Sequence, residues 1–435
     1  MKQKRKKVVL AYSGGLDTSV AIRWLQEKYD MDVIALTIDL GTVKDLPAIK
    51  EKALKIGAIK ALVVDARETF LRYFIFPALQ AGAIYEGVYP LATALGRPLI
   101  AKLLADTAAE EGAEAVAHGC TGKGNDQVRF ELALQALAPQ LQVIAPVREW
   151  KMTRDEEIRY AQEHQIPVEA TIKSPYSVDE NLWGRAIECG ILEDPWVEPP
   201  EDAYKWTRSI DKAPDKPAYM EISFDKGIPI SLNGEKMDGL GLIHELNVLA
   251  GKHGIGRIDH IENRLVGIKS REIYEAPAAI VLHQSHKALE GMTMTKDALR
   301  FKELVSTQYA DLIYNGLWFS AFHQDLVAYV LSSQRFVTGT VRVKLYRGLC
   351  TVVGRKSPVS LYSHALATYD EKDAFDHNAA VGFIKIYGLP SKTQAQTQMQ
   401  ALMAGETIHV DSIIPPRVKP KKLAKKAKRL KGKEK

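Results

Sequence analysis

The chain has little cysteine, no long apolar run and no Walker lysine, and each absence excludes a class of protein. Three cysteines in 435 residues, Cys120, Cys189 and Cys350, form no Cys-x-x-Cys pair and leave one over. Neither a disulfide framework nor a cysteine-held metal is expected, no other metal-ligand set is read, and a reducing cytoplasm is the compartment that fits. No apolar segment is long enough to span a bilayer, and the stretch after the basic start Met1–Lys7 is too short for an export signal. The expectation is a soluble protein that does not enter a membrane. Gly-x-x-x-x-Gly-Lys-[Ser/Thr] is missing, so the chain is not a P-loop enzyme. No nucleophilic triad and no internal repeat is visible.

What is present is an ordinary globular composition, 46% hydrophobic and 26% charged, with length for two or three domains. The formal charge of +6 is unevenly placed. Residues 2–7 carry five Lys or Arg and residues 417–435 carry eleven against Glu434 alone, so residues 8–416 net −9. An acidic body with two basic tails is a poor surface for nucleic acid, and contact by the tails is not expected to be the primary activity.

The most informative stretch is Val8-Val9-Leu10-Ala11-Tyr12-Ser13-Gly14-Gly15-Leu16-Asp17-Thr18-Ser19. A buried-strand pattern runs into two glycines, and Asp17 opens a helical pattern through Leu25. The unpaired N–H groups of a first helical turn point at whatever lies above it, and an anion is the natural occupant. Three hydroxyls and a carboxylate crowd this turn, which favours phosphate over a plain capped turn. Asp32–Asp39 reads as a second strand, Leu46–Ile56 as a helix and Ala61–Asp65 as a third strand. Pro98–Glu111 is helical and Ala115–Ala117 is a fourth strand. It runs into His118-Gly-Cys-Thr-Gly-Lys-Gly-Asn-Asp-Gln-Val-Arg-Phe130, a second glycine-rich turn in which Lys123 faces phosphate and Asn125, Asp126 and Arg129 start a helix on the ligand side. Strand and helix alternating in this way specify an α/β doubly wound parallel sheet, with both turns on one edge.

The second half changes texture. Residues 170–217 read as a loop-rich crossover, Tyr219–Asp225 and Ile228–Leu232 as paired strands, and Leu242–Ala250 as a helix. Lys296–Ser333 is helical with a break at Gly316, and Thr340–Leu345 pairs with Leu349–Val353 across Tyr346-Arg347-Gly348. This is an α+β second domain. The expected organisation is a nucleotide-binding domain over 1–168, a synthetase and oligomerisation domain over 169–390, and a C-terminal arm with a Lys-rich disordered tail over 391–435. A helix is expected at Gln396–Leu402.

Ser-Gly-Gly-x-Asp-[Ser/Thr] resembles the pyrophosphate loop of the N-type ATP pyrophosphatases. Together with the second turn, Tyr89–Pro98, Ser174–Leu182 and Glu262–Pro277, it resembles the argininosuccinate synthase family over roughly residues 8–390. That resemblance implies condensation of citrulline with aspartate through a citrullyl-adenylate, using ATP and Mg²⁺, releasing AMP and pyrophosphate, in a homotetramer of the arginine biosynthetic pathway. It implies that Ala11, Tyr12, Ser13, Gly14, Gly15, Leu16, Asp17, Thr18, Ser19, Ile38 and Gly119 hold ATP. Tyr89, Asn125, Arg129, Ser177, Glu262 and Tyr274 would hold citrulline, and Thr121, Asn125 and Asp126 would hold aspartate. Catalysis would come from positioning, with no dedicated catalytic residue beyond the weak candidates Asp17 and Arg129. Taken singly, Tyr89 and Tyr274 also suit packing, Asp17 suits a helix start, and His118 suits a structural role as well as a catalytic one. The chain departs from the family at Ala94 and Ala186, where some members carry serines, and at Thr42, where glutamine is frequent. Two other readings use the same residues: an adenylating enzyme of tRNA, which for sulfur transfer would need reactive cysteines, and a scaffold whose tails bind polyanions.

Overall fold

The computed structural model describes residues 5–42, 45–167 and 176–403. Residues 2–4 of the basic start, Ser174-Pro175 and the Lys-rich tail lie outside them. Residues up to Tyr362 pack as one compact unit and residues from Ser363 as a second.

The first sheet holds β1 (Lys6–Ala11), β2 (Met31–Asp39), β3 (Lys60–Asp65), β4 (Ala115–Ala117) and β5 (Gln142–Ile144), all parallel, in the order β3-β2-β1-β4-β5. Val8, Val9 and Leu10 of β1 are fully buried because helices cover both faces, which is why they read as a continuous apolar run. The strand order reverses at β1, so the crevice between the carboxyl ends of β1 and β4 is the ligand position of such a sheet. Both glycine-rich turns open there.

Two antiparallel sheets follow. One runs β10 (Glu235–Lys236), β9 (Ile228–Leu232), β8 (Ala218–Asp225), β13 (Gly339–Tyr346), β14 (Leu349–Lys356). The other runs β11 (Arg257–Asn263), β12 (Lys269–Glu275), β7 (Gly184–Glu188), β6 (Ser177–Asn181). The hairpin expected after Thr340 is present, turned by Arg347 and Gly348, both at positive φ. The long helical region divides at Gly316 (φ 76°) into Lys296–Tyr314 and Ala321–Ser333. In the second unit, a helical segment at Ala395–Met403 meets the expectation for Gln396–Leu402.

Two expectations are corrected. The stretch 170–217 is not merely a loop-rich crossover, for it contains β6 and β7. Their polar residues alternate because one face of this sheet lines a cavity and not a core, so the apolar signal of a strand is missing. The helix expected to start at Pro98 begins at Ala92 and carries Pro98 inside it. Ala92 to Gly96, in the turn ahead of the proline, are all buried, and this tertiary packing outweighs the lost N–H.

Candidate active site

Ser13 opens the first turn. Its Oγ accepts the Gly15 N–H at 3.3 Å and lies 3.2 Å from Thr18 Oγ1, while Thr37 Oγ1 donates to the Tyr12 carbonyl at 2.9 Å. Gly14 sits at φ 81°, where a side chain would be strained, and Gly15 leads into the Leu16–Tyr29 helix without a side-chain cap. The first-turn N–H groups therefore face a cavity of about 580 Å³, lined by Ala11, Tyr12, Ser13, Gly15, Leu16, Asp17, Thr18, Ile38 and Gly119 among others. Two residues expected on this surface are not on it. Gly14 forms the turn and gives its carbonyl to Lys52 (2.9 Å), and Ser19 is fully buried, 3.2 Å from the Tyr12 hydroxyl. Asp17 takes Arg154 Nη1 at 3.0 Å at the rim. Beside it, burial and then the Asp17 charge push the Glu157 carboxyl up to about 7.

A smaller cavity of about 140 Å³ adjoins the first, and Ser177 and Asp179 line both. All eight residues expected to hold the two amino acids line it: Tyr89, Thr121, Asn125, Asp126, Arg129, Ser177, Glu262 and Tyr274. They come from four places in the chain, and sheet register explains the grouping. Tyr274 of β12 pairs with Ala186 of β7, which pairs with Asp179 of β6, while Ser177 opposes Glu188. A strand shows one face every second residue, so Ser177 and Asp179, Ala186 and Glu188, Glu272 and Tyr274 make one wall.

Partly buried ion pairs hold the opposite wall. Arg129 Nη1 and Arg97 Nη2 bind the two oxygens of Asp126 at 3.0 and 2.8 Å, and Arg97 also pairs with Asp179. Burial alone would raise the Asp126 carboxyl, but the two guanidinium groups outweigh it and hold the carboxyl well below the usual carboxylate range. Arg129 Nε donates to the Tyr314 carbonyl at 2.9 Å, and its Nη2 and the Nε of Arg97 are buried with no partner among the described residues. Glu262 accepts the hydroxyls of Tyr274 and Tyr314, each at 2.7 Å, and Tyr89 stacks on Tyr274 with ring centres 4.1 Å apart. Asn125 donates to the Tyr314 hydroxyl at 2.8 Å and accepts the Leu265 N–H at 2.9 Å.

Arg97, Asp179, Glu188, Arg264, Glu272 and Tyr314 were not singled out from the sequence. The period-two spacing of Glu188 with Ala186 and of Glu272 with Tyr274 is a signal that could have found two of them. Tyr314 ends a helix 185 residues beyond Arg129, and nothing local marks it. His118 is buried at the rim of the larger cavity, stacked near Phe130, with Nδ1 accepting the Cys120 N–H at 3.3 Å and Nε2 3.6 Å from Glu131. Burial pushes the Cys120 thiol far above its ordinary range, so it is no thiolate nucleophile.

Glu272 has a carboxyl displaced upward. Burial first, then the charges of Glu188 and Glu262, push it up to about 8 against the pull of Arg264. A carboxyl raised in the folded state stays protonated there after the unfolded chain has ionised. It therefore costs stability as pH rises from about 4.5 towards 8. A cation entering the cavity favours the ionised form. Binding of an α-ammonium compound at pH 7 is expected to release up to about one proton per site. Calorimetry in two buffers of different ionisation enthalpy checks this, and equal heats in both would refute it.

A parallel sheet with a phosphate-type turn at its switch point, joined to a charged amino-acid-sized cavity, defines a nucleotide-binding enzyme of the HUP architecture. The chain belongs to the argininosuccinate synthase family and is a ligase. Residues 7–167 match the Arginosuccinate synthase N-terminal HUP domain and residues 176–394 the Arginosuccinate synthase C-terminal domain. It is 62% identical over 393 residues to an argininosuccinate synthase of Dehalococcoides mccartyi, covering 90% of this chain and 97% of the relative. It is 58% identical over 401 residues to one of Bacillus thuringiensis, covering 92% of this chain and all of the relative.

Proposed function

We propose that the chain condenses citrulline with aspartate, consuming ATP and releasing AMP and pyrophosphate, as a step of arginine biosynthesis. The observation that supports this most directly is the junction of the two cavities at Ser177 and Asp179, which brings an amino-acid cavity against a phosphate turn. In this reading the β- and γ-phosphates lie on the N–H groups after Ser13. The citrulline carboxylate takes the free Nη2 of Arg129, and its ammonium takes Glu262. Thr121, Asn125 and Asp126 then orient aspartate on the side of the Gly119–Gly124 turn. The ureido oxygen is a weak nucleophile, so the rate comes from holding it in line with the α-phosphorus to form a citrullyl-adenylate. The amine of aspartate then displaces AMP. No side chain needs to become covalently attached, and the high Cys120 thiol agrees with that.

Mg²⁺ fits as a companion of the polyphosphate. No cluster of three or more His, Cys, Asp or Glu converges among the described residues, so the protein's donors towards it would be the oxygens of the turn and the Asp17 carboxylate beside it. The ion would neutralise charge on the leaving pyrophosphate. A homotetramer and a cytoplasmic location belong to the same reading. Phe383, Ile384, Ile386 and Tyr387 are exposed on the His377–Tyr387 helix, an apolar face of the kind subunits cover, and all three cysteines are free. Ala186 lines the smaller cavity where some relatives' serine would, and removes one hydroxyl from its wall.

The test is release of AMP and pyrophosphate from Mg-ATP, with citrulline and aspartate omitted in turn. Release that requires both is the expected result. Release with neither, or only with added tRNA, would overturn the substrates.

A further inference from the structure

Behind the nucleotide cavity lies a third one, of about 500 Å³, that the proposed reaction does not use. Its walls combine three features. Lys205, Arg208 and Lys252 line it, all exposed and none in an ion pair among the described residues, with His244 beside them and no Asp or Glu in the lining. Trp206 is half-buried against it. Leu182, Leu240 and Ile243 supply an apolar floor. Glu275, the carboxylate beneath the Lys205–Thr207 segment, is already spent, because it accepts the backbone N–H groups of Lys205, Trp206 and Thr207 and pairs with Arg185. That fixes the Lys205–Thr207 backbone and leaves the cationic side chains uncompensated. Unpaired cations round an aromatic and aliphatic floor suit a compact anion that carries a flat apolar body.

The two cavities share a wall one backbone layer thick. Leu40 and Thr42 line the nucleotide side and Gly41 between them lines the other; Asn181 lines the nucleotide side and Leu182 the other. The segments are tied together by the Leu182 N–H donating to the Leu40 carbonyl at 2.9 Å, and Asn247 Nδ2 donates to the Leu182 carbonyl at 3.1 Å. Gly41 is at φ 98°, and a Cβ there would come within 2.6 Å of Leu182 Cβ, so the contact has no slack. Anything that moves Leu182 or Asn247 moves the floor of the nucleotide cavity.

We propose that this cavity is a second site for a nucleoside phosphate, with the base on Trp206 and the aliphatic floor and the phosphate on Lys205, Arg208 and Lys252, and that its occupancy alters affinity at the first site through the shared wall. The inference does not depend on which amino acids are condensed. The test uses the full chain with the first site filled by saturating α,β-methylene-ATP, titrated with AMP and separately with inorganic phosphate. One further AMP per chain is expected, bound at least tenfold more weakly by the triple variant K205Q/R208Q/K252Q and by Val248→Trp, which fills the mouth. AMP is also expected to shift the dissociation constant of α,β-methylene-ATP at least twofold in the parent and not in the triple variant. No AMP uptake, equal uptake by both variants, or phosphate binding as tightly as AMP would overturn the site. An unshifted constant would overturn the coupling.

Discussion

Asp126→Asn is expected to lower kcat/KM for aspartate by about three orders of magnitude and to lower the melting temperature as well. Asn keeps the size of the side chain and removes its charge. Arg129 is 4% exposed and Asp126 is its one ion-pair partner among the described residues, so the variant strands a buried guanidinium. Breaking a buried pair from one side costs about 3–5 kcal/mol. Arg97 suffers less, because Asp179 remains. Part of the loss goes into stability and part into function, since the freed arginines would turn towards the substrate carboxylates that they should position. Steady-state kinetics with aspartate varied, alongside a thermal melt, separates the two parts. Activity within threefold of the parent would remove Asp126 from the site. A melt shift with unchanged kcat/KM would leave it a purely structural residue.

The two glycine-rich turns were legible because their physics is local. Gly14 at φ 81° and an uncapped helix start leave a signature within a dozen residues, and the same is true of His118–Phe130. The parallel sheet was legible too, since strands buried on both faces, such as Val8–Leu10, read as apolar runs. The smaller cavity was legible only through family resemblance. Its wall is a polar face of an antiparallel sheet, and Ser177, Asp179, Glu188 and Glu272 have the composition of a solvated loop. What makes them a site is the pairing of β6 with β7 and of β7 with β12, across some 85 residues of chain that no local pattern connects. Arg97 illustrates the same limit. In the sequence it is one charge on an alanine-rich helix, while in the fold it is half-buried and joins the two cavities through Asp126 and Asp179. Pro98 beside it concealed the true helix start, and so concealed that this arginine stands in the second turn of a buried helix and not ahead of one.

Glu262→Gln is expected to raise the KM for citrulline by about 30- to 1000-fold while changing the KM for ATP by less than about threefold. Glu262 is 3% exposed and carries both tyrosine hydroxyls, one on each oxygen, so its negative charge is delivered in a fixed direction. Glutamine keeps one acceptor oxygen, and the other tyrosine can turn its hydroxyl to accept from the new NH₂, so the wall stays packed. What disappears is the charge that meets an α-ammonium inside a cavity shielded from water. Losing one half of a buried, hydrogen-bonded charge pair costs about 2–4 kcal/mol, which is about 30- to 1000-fold in affinity. Tyr314→Phe is the informative companion. It removes one hydrogen bond from the carboxylate and keeps the charge, so a change below about tenfold is expected. If the two variants behaved alike, Glu262 would matter for packing and not as a counter-ion. Equal rises in the KM for ATP and for citrulline would place its effect on the whole site, and the assignment of the ammonium to this carboxylate would fail.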